Sequence, residues 1–387
     1  MKKLISITLI LSLMLAMSAF ASRTRVLTMG NNNMVLVDDA NIWMFPSRLN
    51  DYPGLAVGEF GSNPGFPQEF NSFGIHWKFG DDAPWVLATY FDANMPVAQP
   101  HFALPFTPPD DNQRINLLYG RQMGSNNFGF GLSLIQSSDE ETVGGSTNKE
   151  SFAKYDVTFG LTADDRSWDM ALNFGFGSWT DETGGIATSE ADGLFDFTLM
   201  GRMFMDKGPN YTYVPHAAIE YHKLGVKTGA TQTEKWTDFI FDFGIGQVYT
   251  PSNNVEAVLD FGIMFQKFKY EDDVAGTIQQ DSTENFNTIP YFKIGMDAEV
   301  FGWMDVRFGA TSFWQRNKTE DAFPPGAPNE YKDSFARNAT YLGFGFHWGN
   351  FHVDTYADPQ LFLEGLNFIS GANQNMNFQI SATYEML

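Results

Sequence analysis

The chain has 387 residues, of which 43% are hydrophobic, 16% aromatic and only 18% charged, with no Cys and a formal net charge of -22. Such an aromatic load excludes a disordered chain, and the lack of Cys excludes a disulfide scaffold, a thiol nucleophile and a thiolate zinc site. The 46 acids against 24 bases exclude nucleic acid as a partner, because phosphate neutralisation requires clustered Lys and Arg.

Residues 1 to 21 read as a secretory signal: a basic start at Lys2 and Lys3, an apolar run from Leu4 to Met17, and the small-residue cleavage site Ala19-Phe20-Ala21. Beyond Ala21 no apolar run approaches the ~20 residues of a spanning helix, so a membrane location requires a barrel. Residues 22 to 69 form an N-terminal segment without clean alternation. They are read as a plug for a lumen, or as an initial strand or tail. Residues 70 to 387 form the barrel.

From about residue 70 the period-2 signal recurs to the C-terminus. Over 127 to 136, Phe128, Phe130, Leu132 and Leu134 oppose Gly129, Gly131 and Ser133. Over 236 to 246, Phe239, Phe241, Phe243 and Ile245 oppose Asp238, Asp242, Gly244 and Gly246. Comparable stretches lie at 166 to 178 and 253 to 268. A soluble β-sandwich also alternates, but these segments reach the ~9 to 11 residues of a tilted spanning strand rather than the ~5 to 6 of globular strands.

Connections alternate in length. Short turns fall at 164 to 165, 206 to 210, 251 to 253, 302 and 349 to 350. Long loops are expected at 92 to 112, 137 to 149, 180 to 190, 224 to 234, 270 to 283 and 317 to 334. Outer-membrane barrels show this asymmetry, with short periplasmic turns and long outer loops. The expected fold is therefore all-β, a single antiparallel transmembrane barrel of 14 strands, with 16 as the alternative. Trp77, Trp85, Trp168, Trp179, Trp236, Trp303, Trp314 and Trp348 fall near strand ends, as an aromatic girdle would.

Within the N-terminal segment, Arg23-Thr24-Arg25, Met29-Gly30, Asp38-Asp39-Ala40-Asn41 and Phe45-Pro46-Ser47 ahead of Leu49 resemble the opening of FadL-type and PorV-type outer-membrane barrels. Those families commonly show Asn-Pro-Ala where this chain has Phe45-Pro46-Ser47. The resemblance covers about a tenth of the chain. It implies a barrel of about 14 strands that either carries a hydrophobic ligand past an N-terminal hatch or serves a secretion system.

With the aromatic face toward lipid, the opposite face lines the lumen. Its candidate residues are Arg114, Asp156, Asp196, Arg202, His216, Glu220, His222, Asp242, Asp260, Arg307 and Arg337. Like-charge rings of carboxylates would favour cations in an open channel, whereas paired charges would close the interior. His216 and Glu220 stand roughly 13 Å apart along one strand at ~3.3 Å per residue, too far to share an ion. No Gly-x-Ser-x-Gly elbow is present, and no enzyme, metal or cofactor is expected. Phe102, Leu104 and Phe106 are mouth-loop candidates for a constriction or a capture site. The reading is an exported outer-membrane barrel for passive transport of a small or hydrophobic solute, with outer-membrane lipid and lipopolysaccharide as its surroundings. The alternatives are a closed-lumen structural or secretion-accessory barrel and, least favoured, a barrel enzyme acting on lipid.

Overall fold

A computed structural model describes residues 23–62, 69–78, 80, 84–93, 113–143, 145–229, 232–274, 277–322, 329–357 and 378–386. They form one closed antiparallel barrel of 16 strands, the larger of the two expected sizes. The first half comprises β1 (Leu55–Ser62), β2 (Glu69–Trp77), β3 (Trp85–Ala93), β4 (Gln113–Met123), β5 (Asn126–Val143), β6 (Ser146–Ala163) and β7 (Trp168–Thr183). Strand β8 is interrupted and runs as Ile186–Ala191, Leu194–Met203 and Met205–Asp206. The second half comprises β9 (Tyr211–Thr228), β10 (Gln232–Ser252), β11 (Val255–Val274), β12 (Thr277–Phe301), β13 (Met304–Ala322), β14 (Asn329–Trp348), β15 (Phe351–Ala357) and β16 (Phe378–Glu385). Strand β1 pairs with both β2 and β16, from Leu55 opposite Glu385 to Gly61 opposite Gln379, which leaves no free sheet edge. The sheet therefore begins at Leu55 rather than at residue 70.

The long connections are corrected too. Most of the segments 137–149, 180–190, 224–234 and 270–283 are strand, so the wall itself projects and closes in tight turns. The β7–β8 hairpin pairs Thr183 with Ile186 around Gly184 and Gly185 at φ +62° and +77°, the doubly positive geometry that glycine supplies. Charge density predicts loops, but the ladder continues through charged positions, with like charges opposed at Glu150 and Asp181 and at Glu271 and Asp281, and opposite charges at other positions. Glu140 sits across from Lys149, Lys149 from Glu182, and Lys235 from Glu271.

The outward face explains the Phe content. On β11 the outward positions Val255, Ala257, Leu259, Phe261, Ile263 and Phe265 are apolar, and Lys267, Lys269, Glu271 and Asp273 continue the same face. At the short-turn end, rings stack around the rim: Phe301 on Trp303 at 5.6 Å, Trp303 on Phe346 at 6.3 Å, and Phe346 on Trp348 at 5.7 Å. Trp179 and Trp236 do not join a girdle. They follow the inward parity of Gly177 and Asp238, and are buried in the lumen with Ile135, Phe152, Leu194, Leu224 and Val226.

Residues 23–52 lie inside the barrel at its short-turn end. Helix α1 (Arg23–Thr28) is followed by two 3-10 turns, Asp39–Trp43 and Pro46–Asp51. Asp38 caps the first, its side chain accepting from Ala40 N while Asn41 Oδ1 accepts from Asp38 N, and Pro46 opens the second. Val26, Met29, Val35 and Leu36 pack on Val214 and Val258 of the wall, and Ile42 and Leu49 on Val86, Ala88 and Leu118.

Candidate functional site

The inward glycines of the wall mark where this segment sits. A Cβ on Gly129 would lie 1.9 Å from Ser47 N, on Gly295 2.4 Å from Met29 O, and on Gly309 2.2 Å from Gly30 N. Backbone therefore meets backbone at distances that a side chain would forbid. The abundance of Gly is in part the footprint of this contact.

Arginines on both sides tie the segment to the wall. Arg25 donates through Nε to Asp297 at 2.8 Å, through Nη2 to Glu256 at 2.8 Å, and through Nη1 to Asp38 at 3.2 Å. Arg48 forms a two-pronged pair with Asp169, both bonds at 2.9 Å. From the wall, Arg202 binds Asp169 at 2.7 Å, then reaches Leu36 O at 2.7 Å and Asn41 Oδ1 at 2.8 Å. Arg166 also meets Asp51. Burial beside Asp38 pushes the Asp39 carboxyl well above the ordinary carboxylate range.

Above this floor is a chamber of about 260 Å³. Ile42, Trp43 and Pro46 contribute from below, and Arg114, Asp156 and Glu220 are among the wall residues. The structure brings Asp156, Asp196, Glu220 and His222 together around Lys154. Lys154 Nζ lies 2.6 Å from Asp196 and 3.3 Å from Asp156, and His222 bonds Asp196 at 2.8 Å and Glu220 at 3.4 Å. Arg114 stands apart from this pairing. Its Nε donates to Ser133 Oγ at 2.7 Å and Asn116 Oδ1 at 3.0 Å, and it forms no ion pair among the described residues.

The remaining candidates divide into other groups. His216 bonds Asp260 at 3.0 Å, with Lys293 3.9 Å from the same carboxylate, and Asp242 accepts from Tyr291 at 3.0 Å. Arg307 sits at the short-turn end among Asp297, Asp305 and Asp354. Arg337 remains exposed toward the other end, its guanidinium 4.9 Å from the Phe335 ring centroid. Phe102, Leu104 and Phe106 lie outside the described residues, as does the expected signal at 1–21. Toward the long-strand end, the apolar layer of Trp179, Trp236 and Phe152 covers the inner wall from β5 to β10.

Sequence reasoning did not identify Arg25 and Arg48 as anchors. The available signal was their placement in an otherwise apolar and acidic segment, ahead of a lumen with surplus carboxylates.

No protein-family model matches this chain, and no curated protein matches its sequence. Among solved structures the chain is similar to CdiB from Escherichia coli, with 8% identity, 86% of this chain and 63% of that chain covered, and a TM-score of 0.44. It spans less than two thirds of that CdiB chain. It is also similar to the CymD monoaromatic hydrocarbon channel, at 9% identity over 93% of this chain and 96% of that one, TM-score 0.38. A third similarity is to the translocator domain of autotransporter NalP from Neisseria meningitidis, at 11% identity over 68% of this chain and 89% of that one, TM-score 0.33.

Proposed function

We propose that the protein is an outer-membrane β-barrel that admits a small solute from its long-strand end, with residues 23–52 as the gate at its short-turn end. A closed sheet with an exposed apolar band is the form in which strands satisfy their backbone groups in lipid. The band on β11 matches the ~9 to 11 residues of a spanning strand, and the rim of stacked rings suits a membrane interface. The export signal read at 1–21 fits the same location.

The observation that carries the transport reading is the chamber directly above the segment. At about 260 Å³ it is slightly smaller than the ~300–1,000 Å³ of ordinary ligand sites, so the solute is small. Arg114, Lys154, Asp156 and Glu220 at its wall favour a polar solute over a purely hydrophobic one. Passage to the short-turn side then requires the segment to move.

The second reading, a closed structural barrel, draws on the same anchors: Arg25, Arg48 and Arg202 hold the segment by buried, charge-assisted bonds. Planar-bilayer conductance and liposome swelling separate the two. Stable channels or solute uptake support the gate. Sealed bilayers together with no uptake of any small polar solute would refute transport. Recovery of the protein in the soluble periplasmic fraction would overturn the membrane location.

A further inference from the structure

Only 24 residues are Lys or Arg, and several of the inward ones are bound to carboxylates. A separate group faces outward. Lys223, Lys267 and Arg316 are each the thirteenth residue of β9, β11 and β13, counted from the short-turn end, so they stand at one height on alternate strands. All three are exposed and form no ion pair among the described residues. Two residues below each, on the same face, is an aromatic ring: Tyr221, Phe265 and Trp314. The apolar band ends at these rings, and the cations begin one step beyond it.

Among the described residues the arrangement is confined to one sector. On β5 and β7 the equivalent pairs are Gln136 with Ser138 and Ser178 with Thr180, neutral and without a ring. Between the three cations the paired strands present Thr237, Asn285 and Asn287, which are neutral hydrogen-bonding groups. One row further out, carboxylates are engaged by other lysines. Lys269 lies 3.8 Å from Asp281 and Lys318 3.3 Å from Glu330. Alternate strands are about 10 Å apart at ~4.8 Å per strand, so the three cations form a ledge with room for more than one anionic group.

We propose that this ledge binds the phosphates of a phosphorylated glycolipid in the outer leaflet, with Tyr221, Phe265 and Trp314 against its acyl chains. The chemistry is that of cations at a headgroup plane above an aromatic belt. It rests on the membrane-spanning reading and is independent of what the lumen carries.

The test uses the full-length protein purified in detergent. Native mass spectrometry measures retention of diphosphorylated lipid A, of the same lipid after phosphatase treatment, and of the first lipid in the presence of inorganic phosphate. Wild type and Lys149→Gln, an exposed outward lysine on β6, should retain the phosphorylated lipid equally. The triple variant Lys223→Gln, Lys267→Gln, Arg316→Gln should bind it about a hundredfold more weakly, each lost cation weakening the attraction by about fivefold. Dephosphorylated lipid should not be retained, and equimolar inorganic phosphate should not displace the phosphorylated form. Equal binding by the triple variant, or by the dephosphorylated lipid, overturns the ledge. Displacement by equimolar phosphate overturns the assignment to lipid. Heat-modifiable migration verifies that each variant is a folded barrel. Wild type in the outer-membrane fraction with unchanged binding in the triple variant refutes the ledge alone, whereas absence of wild type from that fraction refutes the membrane reading with it.

Discussion

Replacing Arg25 with Ala should unlatch the N-terminal segment while leaving the barrel intact. The guanidinium touches three carboxylates, and their surroundings differ. Asp297 keeps Arg307 at 2.9 Å, and the Glu256 side chain is 31% exposed, so both retain a partner or water. Asp38 is fully buried, caps the first 3-10 turn, and has Asp39 as its neighbour. Removing one member of a buried ion pair costs about 3–5 kcal/mol, and here that cost falls on Asp38 in the docked state. The undocked segment hydrates Asp38 and escapes the penalty. The docking equilibrium should therefore shift toward release by roughly two to three and a half decades, at ~1.4 kcal/mol per decade. Single-channel recording should show openings that are rare in wild type become frequent. Hydrogen exchange should show faster exchange over 23–52 with the strands unchanged. Unaltered gating together with unaltered exchange over that segment would refute the view that Arg25 holds the gate.

Other outcomes follow from the same geometry. Gly309→Val places a side chain where Gly30 N now lies 2.2 Å from the Cβ position, and should displace the segment and expose it to added protease in a folded barrel; full protection would contradict the close packing. Asp39 is held protonated more readily in the docked segment than in a hydrated one. Its contribution to docking is therefore fully present below the ordinary carboxylate value near ~4 and is lost as pH rises through the raised docked-state value. Asp39→Asn should tighten docking at pH 7 and flatten this part of the pH dependence of opening frequency; an unchanged profile would count against it. Arg114→Gln removes from the chamber a cation that forms no ion pair among the described residues, so in any conducting state the reversal potential under a salt gradient should move toward greater cation preference, by a few-fold in permeability ratio. No shift would place Arg114 outside the conducting path.

The outward and lumen faces are legible because period-2 alternation is a local property of each strand. Phe239, Phe243 and Ile245 are exposed outside, while Asp238 is buried and Asp242 half-buried within, as the pattern required. Strand number was less legible. The break in β8 at 192–193 falls at Gly193, whose φ is +86°, and the projection of β5, β6 and β10 beyond the apolar band is visible only in cross-strand register, which a single segment does not display. Position near strand ends places Trp179 and Trp236 in a girdle. Parity with Gly177 and Asp238 would have turned both inward and disclosed the apolar layer of the lumen.

The N-terminal segment was the least legible part, because its structure is dictated by the wall rather than by its own short helices. Alone, a six-residue α1 and two 3-10 turns have little tendency to persist, since helix nucleation is costly. What holds them is complementary information on distant strands: carboxylates at Asp169, Glu256 and Asp297, and missing side chains at Gly129, Gly295 and Gly309. Gly in the alternating pattern reads equally well as strand curvature or as an approach surface, and only the acids nearby distinguish the two. Glu256 precedes Asp297 by 41 residues, yet both reach the same Arg25 on adjacent strands β11 and β12, where they are register partners. A gate built this way can be released without unfolding the barrel, because the ladder hydrogen bonds of the wall do not depend on the segment. The same independence makes the anchors, rather than the strands, the place where transport and closure would be decided.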